Sequence, residues 1–278
     1  MTAPYAVGFI GEGITRLVPL ALPSAKVRAW LPDGLELGKQ NFTPPGTHPV
    51  IFLFQEFSHC QFSFPTWLRS MNYHEQSMGV PFTHIHTGHG VAGILGSYYF
   101  MPRMCLDDLW VLVGSAGWGF NKELARVNTT ASRYTVTSLA GRRLASLAWT
   151  GENNHRAVRG YTEFEPIRQI LSQRLVTAFP APGRPFFALT DFNRRWEMAK
   201  VRPLRTVLEL DPWYMPPSYM PTSNAVRYPA SGWSAGIESS ALGSYELLAP
   251  WWLSFPYPPV LPFRDNRNSQ ANSFPGHR

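Results

Sequence analysis

Short runs of β-branched and aromatic residues, separated by turn residues, dominate the chain. Residues 49–58 (PVIFLFQEFS) form one such run and predict a buried strand. Ala140 and Gly141 stand between two other runs and indicate a hairpin. The same pattern predicts further strands at residues 14–22, 72–86, 93–100, 109–114, 133–138, 143–149, 185–190, 197–210 and 244–253.

Two segments have helical instead of strand periodicity. Apolar residues recur three or four positions apart over residues 165–176, and Pro166 stands where the first turn of a helix accepts proline. A shorter helix is predicted over residues 25–31, with Ser24 as its cap. Many short strands and few helices predict an α+β fold that is mainly β.

The composition is that of a folded globular protein. Hydrophobic residues make up 44% of the chain and charged residues 15%, which excludes a disordered or coiled-coil protein. No internal repeat or linker divides residues 1–255, so we expect a single domain there. Residues 256–278 are polar and rich in proline, which is typical of a mobile tail.

A net charge of +7 is compatible with a polyanionic partner, but the distribution of the basic residues is not. They occur as isolated pairs, such as Arg142 with Arg143 and Arg194 with Arg195, without a lysine-rich run or a nucleic-acid-binding motif. We therefore expect no nucleic-acid partner. The charge either attracts small anionic substrates or belongs to a solvated surface.

Cysteine usage and hydropathy indicate a reducing, aqueous compartment. Cys60 and Cys105 are the only cysteines, and neither belongs to a CxxC motif or a metal-ligand spacing. The most apolar stretch, residues 90–101, is too short to cross a bilayer, and the N-terminus lacks the pattern of a signal peptide. The sequence thus predicts a cytoplasmic protein without a membrane partner.

Three short segments, with the sequences GFNKELA, YHEQSMGVP and PDGLEL, resemble motifs of one enzyme family, the acetoacetate decarboxylases. Residues 119–125 (GFNKELA) resemble the family's Gly-Phe/Tyr-Pro-Lys-Lys-Leu-Ala, whose first lysine forms a Schiff base and corresponds to Lys122. Residues 73–81 (YHEQSMGVP) resemble the segment with the family's active-site glutamate, which corresponds to Glu75. Residues 32–37 (PDGLEL) also resemble a family segment, so the similarity runs in order along most of the chain.

The resemblance implies a fold, a reaction class and a set of site residues. The implied fold is an antiparallel curved sheet or closed β-barrel with a few peripheral helices. The implied activity is that of a lyase that needs no cofactor and acts on a small keto acid, and homo-oligomerisation is left open. Lys122 and Glu75 are the implied catalytic residues, and Arg16, Tyr73 and Phe120 are candidate substrate-binding residues.

The chemistry of such a site needs a neutral amine. A lysine attacks a ketone only without its proton, so the pocket must lower a pKa that is about 10.4 in water. Burial does so by penalising the ammonium, and the apolar neighbours Trp118, Phe120 and Leu124 suit that role. The iminium then withdraws electrons from the adjacent bond. A β-keto acid can therefore lose carbon dioxide, or undergo an aldol or dehydration step, while Glu75 moves protons.

Two departures from the family pattern affect this prediction. Glu123 replaces the family's second lysine, and a carboxylate there would stabilise the ammonium unless an extended backbone turns it away from the pocket. Residues 114–116 (GSA) replace the family's Gly-Arg-Glu, and only Arg16 lies near the place of its carboxylate-binding arginine. A second hypothesis is therefore a pocket that binds a small carbonyl or apolar ligand without turnover.

Two other motifs give alternatives. The histidines of residues 84–89 (HIHTGH) have a spacing that metals use, but no carboxylate or cysteine completes a site, so no metal is predicted. Residues 232–236 (GWSAG) match the nucleophile elbow of serine hydrolases, with Ser234 as the nucleophile. Its acid and base would have to come from the predicted tail, so a serine hydrolase is the third hypothesis.

Overall fold

The computed structural model describes residues 8–62, 70–85, 97–151, 154–179, 186–211, 226–231 and 242–255. Strands make up most of these residues. In chain order they are β1 (Gly8–Pro23), β2 (Leu35–Leu37), β3 (Thr47–Phe62), β4 (Met71–Ile85), β5 (Tyr98–Leu106), β6 (Lys122–Thr129), β7 (Arg133–Ser138), β8 (Arg143–Gly151), β9 (Arg156–Ala157), β10 (Arg174–Phe179), β11 (Phe186–Thr190), β12 (Phe192–Arg194), β13 (Lys200–Leu210), β14 (Val226–Ser231) and β15 (Ser244–Ser254).

Short helices separate some of the strands. In the described part of the chain the three α-helices are α1 (Ser24–Arg28), α2 (Leu109–Ser115) and α3 (Glu165–Leu171), and two 3₁₀ helices span Ala116–Trp118 and Thr162–Phe164. Of the helices in the described ranges, none is both long and apolar enough to cross a membrane.

Most of the predicted strands are confirmed, and one is wrong. β7 and β8 form the predicted hairpin, with Gly141 at a φ of 87° in its turn. Residues 109–114 were expected to extend but form helix α2, because the Asp108 side chain accepts a hydrogen bond of 2.8 Å from the Val111 amide and caps the helix. The predicted helix over 165–176 ends at Leu171, since the residues from Arg174 onwards pair with two strands as β10.

Within the described residues the strands form one curved sheet. Its order is β11-β10-β5-β6-β7-β8-β13-β15-β1-β3-β4-β2, with β12 beside β15 and with β9 and β14 beside β13. Pairing is antiparallel except where β5 meets β6 and β10. β4 also pairs with β5, which bends the sheet back on itself. The mainly β, curved sheet is therefore confirmed, and it is mixed instead of wholly antiparallel.

The two faces of the sheet carry different environments, as β3 illustrates. Phe52 and Phe54 are fully buried in a core that reaches across β1, β4, β8 and β13. Leu53, Gln55 and Phe57 point the opposite way, because side chains alternate along a strand, and they line a cavity. Strand parity thus decides which residues can reach a ligand in that cavity.

Candidate active site

The cavity lies on one face of the sheet, next to the segment that contains α2. Its empty volume is about 860 Å³, part of which is open to solvent. Its wall is mainly apolar and aromatic and includes Phe9, Phe57, Tyr73, Trp118, Phe192 and Trp251.

Two oppositely charged side chains meet in the wall of this cavity. Lys122 Nζ lies 2.6 Å from Glu75 Oε2. The two side chains are only 7% and 6% exposed. Both residues that the motifs single out are therefore joined by a charge-assisted hydrogen bond that is largely shielded from bulk water.

The pairing of β4, β5 and β6 explains why Lys122 and Glu75 are in contact. Glu75 lies on β4 opposite Leu106 of β5, and Lys122 is the first residue of β6, beside Met104 of β5. Adjacent strands are about 4.8 Å apart, so β4 and β6 are separated by the width of β5. The long side chains of Lys122 and Glu75 reach across β5 and meet over it.

The turn before β6 fixes where Lys122 begins. Gly119 adopts a left-handed conformation with a φ of 71°, which ends the preceding 3₁₀ helix. Asn121, which stands where the family has proline, donates from Nδ2 to the carbonyl of Pro102 at 2.9 Å, and its own carbonyl accepts from the Met104 amide at 3.1 Å. These bonds hold the start of β6 against β5.

Replacing Gly119 with alanine is expected to lower the free energy of unfolding by about 2–3 kcal/mol. The left-handed backbone costs roughly 1–2 kcal/mol with a side chain present. A Cβ at this position would also lie 2.5 Å from the Phe179 ring, a clash that adds to the loss. Urea denaturation measures the effect. Gly141→Ala is the matched control, because its φ is also positive but a Cβ there meets no atom within 4 Å, so it should cost only about 1 kcal/mol.

Glu123 lies outside the cavity. β6 is extended, so Glu123 points to the opposite face from Lys122, and it is exposed. The carboxylate that contacts Lys122 is that of Glu75. The sequence leaves the orientation of Glu123 open, and the extended backbone of β6 turns it away from the cavity.

Burial keeps two acidic side chains near the cavity, Cys60 and Tyr73, in their neutral forms. Burial, reinforced by the charge of Glu75, raises the pKa of the Cys60 thiol to about 12. Burial and the same carboxylate raise the pKa of Tyr73 well above its usual value. Neither group ionises near pH 7, so Cys60 does not supply a thiolate nucleophile.

Tyr73 and Phe120, two of the three candidate substrate-binding residues, line the cavity. The centroid of the Phe120 ring lies 5.5 Å from Lys122 Nζ, within the range of a cation–π contact. The structure thus brings Lys122, Glu75, Tyr73 and Phe120 together. Their proposed roles remain predictions.

Arg16, the third candidate substrate-binding residue, does not line the cavity. It pairs with Phe54 across β1 and β3, so it faces the core side of the sheet. There it forms ion pairs with Glu56 and with Glu246, the latter at 2.8 Å from Nε to Oε2, and it stacks 4.0 Å from the Trp149 ring centroid. Its position on the opposite face argues against the predicted contact with substrate.

Arg16→Met is expected to lower the free energy of unfolding by about 3 kcal/mol and to leave ligand binding in the cavity unchanged. The substitution leaves Glu56 without this cation and leaves the almost fully buried Glu246 with only Arg202 and His155 beside it, and the loss of a cation from a buried ion-pair network is costly. Urea denaturation measures the stability, and ligand titration measures the binding. A variant of normal stability that loses ligand binding would contradict this placement of Arg16.

Comparison with known proteins finds relatives by structure only. No protein-family model and no curated protein matches the sequence. An acetoacetate decarboxylase-like enzyme from Sphingomonas wittichii RW1 superposes with a TM-score of 0.57 at 14% identity, covering 91% of this chain and 93% of that one. The fold is acetoacetate decarboxylase-like. At this identity the likeness concerns the fold.

The enduracididine biosynthesis enzyme MppR shares the acetoacetate decarboxylase-like fold. Its complex with pyruvate superposes with a TM-score of 0.52 at 14% identity, covering 94% of this chain and 91% of MppR. Its complex with the condensation product of pyruvate and imidazole 4-carboxaldehyde gives a TM-score of 0.51 at 13% identity, covering 94% and 90%. The fold implied by the sequence motifs is therefore found by an independent route.

The acetoacetate decarboxylase-like fold also places at the cavity polar residues that the motifs did not indicate. Gln55, Tyr99 and Arg194 line its wall. Arg194 appeared in the sequence only as half of a basic pair with Arg195. No local pattern could identify these residues, because their faces depend on pairing between distant strands.

The remaining motifs fall mostly outside the described residues. His84 lies near the end of β4, with Nε2 3.4 Å from Glu36 Oε2, whereas residues 86–96 and 232–240, with Ser234, are not described. Within the described ranges, no group of three histidine, cysteine, aspartate or glutamate side chains could hold a metal ion.

Proposed function

We propose that this protein is a cofactor-independent lyase in which Lys122 forms a Schiff base with a keto acid. The observation that carries the proposal is the buried pair of Lys122 and Glu75 in the wall of an apolar cavity. The fold gives further support, since MppR of the same fold has been solved in complex with pyruvate.

Glu75 lies within hydrogen-bond distance of Lys122 Nζ and can accept and donate the protons that imine formation transfers. Transfer of a proton from Nζ to Oε2, over 2.6 Å, leaves a neutral amine and a neutral acid. The amine adds to the substrate carbonyl and gives a carbinolamine. Glu75 then returns the proton to the carbinolamine hydroxyl, which leaves as water, so an iminium on Lys122 and a carboxylate on Glu75 remain.

The iminium supports more than one outcome. With a β-keto acid, the bond to the carboxylate breaks, carbon dioxide leaves, and the electron pair moves through the new double bond to nitrogen, giving an enamine. With other substrates, Glu75 removes a proton from the carbon next to the iminium and gives the enamine used in aldol or dehydration steps. Hydrolysis of the final imine restores Lys122 in either case.

Reductive trapping tests this function. The chain has four lysines, of which Lys39 and Lys200 are exposed, Lys26 is half-buried and Lys122 lines the cavity. Incubation with acetoacetate or pyruvate followed by borohydride is expected to add one reduced substrate mass to the intact protein. The adduct should be absent from Lys122→Ala and retained in Lys200→Ala, which controls for loss of an ordinary surface amine.

The same samples distinguish the alternative functions. Release of carbon dioxide from acetoacetate supports decarboxylation, whereas an adduct without carbon dioxide supports an aldol or dehydration step. An adduct that persists in Lys122→Ala overturns the proposal. Saturable binding of a ketone without any adduct also overturns it, in favour of a non-catalytic pocket.

A further inference from the structure

The cavity contains a second cation, Arg194, on a wall distant in the sheet from Lys122. Arg194 is 9% exposed and lines the cavity from β12. Nη1 donates to the Leu171 carbonyl at 2.9 Å, and the guanidinium stacks on Phe192 with 4.4 Å between Cζ and the ring centroid. Three strands, β15, β1 and β3, separate β12 from the β4 strand that carries Glu75.

Arg194 carries no counter-ion among the described residues. No carboxylate in those ranges pairs with it, in contrast to the buried Arg16, which has two. Burial lowers the pKa of Arg194 to about 10, so the guanidinium still carries its charge at neutral pH. A buried cation without a counter-ion is energetically unfavourable, which suggests that a ligand supplies the missing anion.

Two further polar groups in the cavity wall lack hydrogen-bond partners in the part of the chain that the structure describes. The Tyr99 hydroxyl and the Trp251 indole N–H are buried, and neither has a hydrogen-bond partner among the described residues. Tyr99 and Arg194 line the same cavity, and the charge of Arg194 opposes the rise that burial causes in the pKa of Tyr99. Guanidinium, hydroxyl and indole groups all donate hydrogen bonds, and a carboxylate has the acceptor sites to receive several of them.

The position of Tyr99 also bears on the length of the ligand. Tyr99 and Met104 lie on β5, and Met104 is beside Lys122. Their separation along the strand is at most about 16 Å at roughly 3.3 Å per residue, because a bulge between Phe100 and Arg103 shortens β5. The side chains of Tyr99 and Lys122 reduce the distance that a ligand must span, but a four-carbon acid would fill only part of it. The wall between the two ends is apolar, with Leu53, Met101 and Phe57.

We propose that Arg194, together with Tyr99, binds the carboxylate of an oxo acid that is longer and more apolar than acetoacetate, while its carbonyl carbon reaches Lys122. The inference rests on the proposed function, which it deepens by naming the substrate class. Acetoacetate and pyruvate then serve only as generic carbonyl probes of Lys122.

Calorimetric binding of a probe without a carbonyl tests the role of Arg194 independently of Lys122. 4-Phenylbutanoate is compared with its neutral counterpart, 4-phenylbutan-1-ol. The wild-type protein should bind the acid about tenfold or more tightly than the alcohol. Arg194→Gln should weaken binding of the acid about ten- to a hundredfold and change binding of the alcohol by less than about twofold. Arg195→Gln, which removes the exposed neighbouring arginine, should change neither.

A second variant keeps the test decisive if Arg194→Gln does not fold. Tyr99→Phe removes only the hydroxyl, and it should weaken binding of the acid about three- to tenfold while leaving the alcohol unaffected. Equal loss of acid and alcohol in a folded Arg194→Gln variant would make Arg194 a structural residue and overturn the inference. A wild-type protein without preference for the acid would overturn it as well.

Trapping with oxo acids of different length tests the substrate class. With borohydride present, 6-oxoheptanoate should form the Lys122 adduct at about tenfold lower concentration than pyruvate or 2-heptanone, its uncharged counterpart. Arg194→Gln should remove the advantage over 2-heptanone. If no compound forms an adduct, the function proposed for Lys122 fails, and the calorimetric comparison still decides the role of Arg194. If pyruvate reacts at lower concentration than 6-oxoheptanoate, the long-chain class is wrong.

Discussion

Glu75→Gln is expected to slow formation of the borohydride-trapped adduct by about a hundredfold or more. The amide keeps the shape of the side chain and can still contact Lys122 Nζ. It cannot accept the ammonium proton, nor return one to the carbinolamine hydroxyl. The initial rate of adduct formation with pyruvate, followed by intact mass after timed addition of borohydride, measures the effect.

Glu123→Gln is the matched control for this experiment. It makes the same substitution at the residue next to Lys122, but on the exposed face of β6. We expect its rate to stay within about twofold of the wild-type rate. Equal slowing by both variants, or no slowing by Glu75→Gln, would contradict the assignment of Glu75 as the proton carrier.

Lys122→Met is expected to lower the free energy of unfolding by about 3–5 kcal/mol, in addition to abolishing the adduct. The variant leaves the Glu75 carboxylate 6% exposed and without its cation. The double variant Lys122→Met with Glu75→Leu should recover the wild-type value to within about 1 kcal/mol or exceed it. Two apolar side chains of similar volume in an apolar wall need no compensating charge. Guanidinium denaturation of the three proteins measures these values.

The stability of the double variant shows whether the ion pair between Lys122 and Glu75 is needed for folding or for reactivity. A pair kept for folding would leave the double variant as unstable as the single one. Recovery of stability without recovery of the adduct would mean that the charged pair is not needed to hold β4, β5 and β6 together. That result would support a pair retained for its reactivity.

Local patterns were sufficient to predict much of the fold. The apolar run of β3 and the turn at Gly141 are visible in the sequence because β-branched, aromatic and glycine residues act over a few positions. α2 was mistaken for a strand, because its valines favour extension while a single cap at Asp108 decides for a helix. One side-chain hydrogen bond decides between strand and helix here, and the hydrophobic pattern of the sequence does not show that bond.

Only part of the site could be predicted from the sequence, because alternate residues of a strand face opposite sides of the sheet. Lys122 and Glu75 could be found because short motifs surround them. Arg16 has a neighbour, Thr15, that pairs with the cavity-lining Gln55, so a shift of one residue along β1 separates a cavity position from a core position. Arg194 reaches the cavity through the pairing of β12 with β15, and no local pattern carries that register.

Peptide mapping of the trapped wild-type protein shows which lysine forms the imine. After reaction with pyruvate and borohydride, proteolysis and tandem mass spectrometry locate the added mass among the four lysines. We expect the modification at Lys122, with Lys26, Lys39 and Lys200 unmodified. Modification that is spread over the exposed lysines, or that spares Lys122, would contradict a buried imine-forming amine.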